Sequence, residues 1–158
     1  FNDASRPMLL NILDMIMHFQ LCAQKMLNCS DVQKLIPDNP LGHAINLVLA
    51  ACEQEEWQMA EQNLADSELV NDPDIGRVLA ESGYRHLDPE QKKDLVILEK
   101  AMQDCQNRLR LLELNEKISA LQSQLQGADA ETGRLLLQEY QKLSESKNQL
   151  KKSLAACS

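Results

Sequence analysis

The chain has 158 residues, enough for one ordinary domain, or a compact domain with an appendage, that buries much of its unfolded surface. Hydrophobic residues make up 44% but aromatic residues only 3%, so Leu, Ile, Val, Met and Ala must fill the core, a mixture that suits helix packing better than sheets. With 24 acidic against 16 basic residues, the formal net charge of -8 argues against a protein that holds nucleic acid mainly by neutralising phosphates.

Charge is unevenly spread. Bases against acids run 3 to 7 over residues 1–60, 2 to 8 over 61–90, 6 to 7 over 91–133 and 5 to 2 over 134–158. A mildly basic tail fits contact with an acidic surface, though a solvated helix face accounts for it as well and is the favoured reading. The five cysteines, at 22, 29, 52, 105 and 157, are odd in number and include no C-x-x-C pair, so no disulfide framework or zinc site is signalled and a reducing, cytosolic compartment fits best. Cys22, Cys52 and Cys105 sit in apolar helical patterns, where a thiol acts as a small buried hydrophobe. The stretch from Met8 to Leu27 is interrupted by Asn11, Asp14, His18, Gln20, Gln24 and Lys25 and is no membrane span. Because the chain opens with Phe1, a piece of a longer polypeptide is expected, with anything catalytic upstream.

Every strong periodic signal is helical. A first helix begins near Pro7, with Leu9, Ile12, Leu13, Ile16, Phe19, Ala23 and Leu27 on one face, widened by Met8, Met15, Cys22 and Met26. Ser30 with Gln33 has the form of a capping box opening a short helix, which Pro37 and Pro40 close. Ile45, Val48, Leu49 and Cys52 mark a third helix over Leu41–Gln54, with Gly42 and His43 at its entrance. Trp57, Ala60, Leu64 and Leu69 fit a weaker helix. Asp72, Pro73, Ile75, Val78 and Leu79 read as cap, first turn and apolar face of another, stopped near Gly83, and Asp88, Pro89 and Gln91 repeat the device.

No glycine or proline then appears until Gly127, which predicts one long helix from Pro89 to Gln126. Its seam changes phase: Leu95, Leu98, Met102, Cys105, Leu109 and Leu112 form one stripe, and Leu111, Leu114, Ile118, Leu121 and Leu125 a second, displaced by about 100°. One helix therefore serves two packing partners. Gly127–Asp129 make a turn, and Leu136, Tyr140, Leu143, Lys147, Leu150 and Leu154 follow at heptad-like spacing. The expected architecture is all-α: a helix bundle over residues 1–112, joined by the long helix to an antiparallel helical hairpin over 113–158 that hinges near Arg110–Glu113.

Catalytic patterns are missing. There is no phosphate-binding glycine loop, no G-x-S-x-G elbow and no H-E-x-x-H helix. His18, His43 and His86 lie far apart and read as satisfied or exposed imidazoles, and Cys22 or Cys105 as a nucleophile would need an adjacent base. Asp72-Pro73-Asp74 caps a helix more readily than it holds a metal, since the remaining ligands of a calcium loop are missing, and Glu53, Glu55 and Glu56 read as a solvated helix end. Arg108, Arg110, Lys117, Arg134, Lys142, Lys147, Lys151 and Lys152 lack stacking aromatics apart from Tyr140, so no direct nucleic-acid binding is expected.

The run Asp104-Cys105-Gln106-Asn107-Arg108-Leu109-Arg110, the spaced leucines to Leu125, and Leu135-Leu136-Leu137-Gln138-Glu139-Tyr140-Gln141-Lys142-Leu143 with Leu150-Lys151 resemble the C-terminal end of DnaG-type bacterial DNA primases. Leu9–Met26 and Leu35-Ile36-Pro37 are similar to that family's opening helix and the segment after it, so the resemblance spans Pro7 to Lys152, with no family-like run over residues 53–72.

This resemblance implies a non-catalytic, cytoplasmic domain that docks on the N-terminal domains of the hexameric replicative helicase. It would recruit the upstream primer-synthesising transferase domains to the replication fork, and no cofactor is expected in the chain itself. Tyr140, Leu143, Lys147, Leu150 and Lys151 are then expected to face the partner, with Leu121, Leu125 and Leu136 supporting the hairpin. The alternative is a self-associating coiled-coil module; a nucleic-acid-binding tail and a bundle-core enzyme rank below it, the latter for want of a paired Glu-x-x-His pattern.

Overall fold

A computed structural model describes residues 5–80 and 95–157, and among them the fold is all-α. Its elements are α1 (Arg6–His18), α2 (Gln20–Leu27), α3 (Ser30–Gln33), α4 (Pro40–Glu53), α5 (Ala60–Ala65), α6 (Pro73–Ala80), α7 (Leu95–Gly127) and α8 (Ala130–Cys157), with short 3-10 helices at Trp57–Met59 and Glu68–Asn71. The chain divides into two compact units, Phe1–Gln106 and Asn107–Ser158. The expected stop near Gly83, the second cap at Asp88, Pro89 and Gln91, and His86 lie outside the described residues.

In the first unit, α4 is the central helix and packs on α1, α2 and α5, while α6 packs on α1 and on the Glu68–Asn71 turn. The apolar period explains the choice: Leu41, Ala44, Ile45, Val48, Leu49 and Cys52 recur along α4, and all are buried. Leu9, Ile12, Leu13, Ile16 and Met17 supply the facing stripe of α1. Asn39 starts α4 by accepting the Gly42 N–H at 2.8 Å. Gly42 is a spatial necessity, because a Cβ there would lie 1.8 Å from the Pro37 carbonyl oxygen.

Two local expectations are corrected. The first helix does not run through to Leu27, because Phe19 is extended (φ -132, ψ 114) and separates α1 from α2. The break frees the Ile16 carbonyl from its i+4 partner, and the Trp57 indole N–H donates to it at 2.8 Å. The helical phase restarts, so that Cys22, Ala23 and Met26 are buried whereas Phe19 and Leu27 are half-buried. Gln33 likewise does not complete a box with Ser30; its side-chain amide donates to the Met26 and Leu27 carbonyls at 3.1 and 2.9 Å and so closes the end of α2. At the end of α4, Glu56 N–H bonds Ala51 O and Glu55 N–H bonds Cys52 O, the Schellman pattern, with Glu55 left-handed at φ 61.

Asp72 and Asp74 act at the start of α6. Asp72 accepts the Asp74 N–H at 3.0 Å, and the Arg6 guanidinium reaches Asp74 at 2.7 Å and Asp72 at 3.4 Å. The hydrogen bond to Asp74 is the main cause that holds Arg6 above its already high ordinary range. The pair therefore ties the first turn of α1 to that of α6.

Helix α7 has no proline or glycine before Gly127 to interrupt it, and its buried positions change face along its length. Met102, Cys105 and Leu109 are buried on one side, whereas Ile118 and Leu121 are buried on nearly the opposite one, since the nine residues from Leu109 to Ile118 make about two and a half turns of a 3.6-residue helix. In the second unit, Ala128 and Asp129 are all that separates α7 from α8. Asp129 caps α8, accepting the Thr132 N–H at 2.8 Å, and that bond pulls its carboxyl below the usual range. Along α8 the heptad positions Leu136, Tyr140, Leu143, Lys147, Leu150 and Leu154 are all half-buried.

Candidate partner-binding groove

The second unit holds a groove of about 350 Å³ built by two helix faces. Asn115, Ile118, Ser119 and Gln122 come from α7 at i, i+3, i+4, i+7 spacing, and Tyr140, Ser144, Lys147, Asn148 and Lys151 from α8. Ile118 is its buried floor. Gln122 donates its side-chain amide to the Tyr140 hydroxyl at 3.4 Å, bridging the walls.

The groove carries one sign of charge. Its lining has two lysines, no Asp or Glu and no histidine, the remaining polar groups being amides and hydroxyls. The Asn115 Oδ1 is buried there without a hydrogen-bond donor among the described residues. Such a surface attracts carboxylates and hydrogen-bond donors, and its lining offers no acid–base pair for proton transfer. The charge sits within a wider asymmetry: residues 1–106 carry eight bases and eighteen acids, and residues 107–158 eight bases and six acids.

Of the residues expected to face a partner, Tyr140, Lys147 and Lys151 meet in this groove. Leu143 and Leu150 do not line it and are half-buried on the α8 stripe. Of the expected supporting residues, Leu121 is buried and Leu125 and Leu136 are half-buried. Sequence reasoning assigned no role to Leu135 and Leu137, which stand 68% and 52% exposed on the flanks of the stripe. They are signalled only as leucines one position either side of the heptad register, a place where a soluble helix ordinarily puts polar residues.

The other groups with chemical potential are placed as follows. His18 is buried, with its Nδ1 2.6 Å from Asp14 Oδ1, and the exposed His43 lies 2.6 Å from Asp38. Cys22, Cys52 and Cys105 are buried and Cys29 half-buried. Burial pushes the Cys22 thiol up to about 11, with Glu99 adding to the effect, and raises Cys52 as well. Neither is thereby activated as a nucleophile. Among the described residues no group of three or more His, Cys, Asp or Glu is placed to hold a metal ion. No helix among them is long and apolar enough to cross a membrane.

Comparison of the chain with protein-family models, curated proteins and solved structures finds no match in any of the three.

Proposed function

We propose that the chain is a helical protein-interaction module whose second unit binds an acidic, partly apolar protein surface. In particular, we infer that it is the helicase-binding domain of a bacterial DNA primase of the DnaG type, a cytoplasmic recruitment module for the N-terminal domains of the hexameric replicative helicase. The observation that carries the reading is the convergence of Tyr140, Lys147 and Lys151 on one groove whose lining contains no acid. Tyr140 is the kind of aromatic that anchors protein interfaces, and the two lysines supply electrostatic complementarity to an acidic partner. The resemblance of the Asp104–Arg110 and Leu135–Leu143 runs to primase C-termini supports the choice of partner.

In this account the groove contributes orientation and electrostatic attraction, and the helicase hexamer, by offering several equivalent sites, raises the effective concentration of the recruited enzyme. The test is a Lys147→Glu, Lys151→Glu double variant titrated against a replicative helicase hexamer from the same source. Loss of affinity of roughly tenfold or more, about 1.4 kcal/mol, with an unchanged helical spectrum supports the groove as the contact. Unchanged affinity removes the groove from the interface.

A second reading is self-association through α8, favoured by the exposure of Leu135 and Leu137. It predicts concentration-dependent dimers that a Leu135→Glu, Leu137→Glu variant abolishes.

A further inference from the structure

The first unit carries a separate groove, of about 560 Å³, that the recruitment reading does not use. One wall is the face Gln58, Glu61, Gln62 and Ala65, at i, i+3, i+4, i+7 spacing along the Trp57–Met59 turn and α5. The opposite wall is Gly76, Leu79 and Ala80 of α6, and Val70 closes the gap between them. Two helical faces with a trough between them form the surface onto which a third helix packs, and the small Ala65, Gly76 and Ala80 keep the walls low enough for larger side chains to seat.

The surroundings fix the charge of what fits. From Leu35 to Gly76, forty-two residues include nine Asp and Glu and no Lys or Arg. Glu61 lines the groove, Asp66 and Glu68 are exposed between its walls in sequence, and Glu53, Glu55 and Glu56 are exposed at the end of α4 and in the turn that leads into Trp57–Met59. Arg77, beside Gly76, is occupied by Asp74 at 3.4 Å. Met59, next in the chain to Gln58, is 46% exposed and offers a flexible apolar contact. A nucleic acid or an anionic membrane would be repelled by this surface, whereas a cationic helix gains at every flank.

We propose that this groove docks a basic amphipathic helix, with apolar side chains seated between α5 and α6 and Lys or Arg on the flanks against the acidic rim. The site stands independently of the helicase reading, since it uses other residues and the opposite charge.

The test uses the full chain and a fluorescein-labelled 18-residue helical peptide of Leu and Lys at amphipathic spacing, followed by anisotropy, with the same peptide carrying Glu in place of Lys as control. Ala65→Arg and Gln62→Arg are separate groove variants, both at exposed positions and both checked for folding by circular dichroism. The expected result is saturable binding of the Lys peptide that weakens with added salt, at least tenfold weaker binding to either folded variant, and no binding of the Glu peptide. Equal affinity of the Lys peptide for parent and variants, or its failure to bind at all, overturns the proposal.

Discussion

The Trp57 indole N–H bonds the Ile16 carbonyl at 2.8 Å, joining the turn after α4 to the one place where the first helix is interrupted. The bond satisfies an acceptor that the break at Phe19 exposes, and so makes the break compatible with a buried position. Trp57→Phe removes the donor while keeping an aromatic ring. The expected cost is about 1–3 kcal/mol, the range for a buried polar group left without its partner, and it is read as a lower urea midpoint by circular dichroism.

Gly42→Ala tests the approach of α4 to Pro37. Alanine is the better helix former by about 1 kcal/mol, but its Cβ would lie 1.8 Å from the Pro37 oxygen. Overpacking against backbone wins, and a net destabilisation of about 1–3 kcal/mol is expected. A variant as stable as the parent would show that the Pro37 turn yields freely.

Glu55→Gly should act in the opposite direction. Glu55 is held left-handed at φ 61 at the end of α4, where a side chain strains against its own carbonyl and glycine does not. A gain of about 0.5–1 kcal/mol is expected in the same denaturation measurement, after the entropy that glycine adds to the unfolded chain is deducted.

Two titrations follow from the direction of the shifts. Asp129 is below its ordinary 3.8 because the charged form caps α8, so its contribution is present above pH 3.8 and is lost as pH falls through the lower folded value. Asp129→Ala should therefore lower the thermal midpoint at neutral pH, and the difference from the parent should shrink below pH 3.8.

Cys22 is shifted the other way, from 9.0 up to about 11, so folded stability declines as pH rises from 9 through 11. Below that range the buried thiol stays protonated. Iodoacetamide at pH 8, followed by peptide mass spectrometry, should modify the half-buried Cys29 well before Cys22, Cys52 and Cys105.

Where the fold was legible in the sequence, the reason is periodicity. The buried stripes of α1 and α4 and the half-buried heptad of α8 fall on the positions that apolar spacing predicts, and the slipped seam of α7 appears as a change of buried face between Leu109 and Ile118. The break at Phe19 carries no local signal, neither glycine nor proline, because the Ile16 carbonyl that it exposes is satisfied by a residue 41 positions away. Gln33 was misread for a similar reason: the box pattern is real in the sequence, but the α2 carbonyls compete for the same amide. Residues 53–72 were the least legible, since short turns and six-residue helices leave little room for a period. At the candidate groove the sequence named Tyr140, Lys147 and Lys151, but not their α7 neighbours Asn115, Ser119 and Gln122, polar residues that only pairing with α8 gives a common purpose.

Recruitment through α8 is tested by a light-scattering titration of the 158-residue chain against a replicative helicase hexamer from the same source, with a chain ending at Gly127 as the control. Saturable complex formation is expected of the full chain and none of the shortened one, which lacks α8. Absence of binding by the full chain, or equal binding by both, would contradict recruitment through that helix.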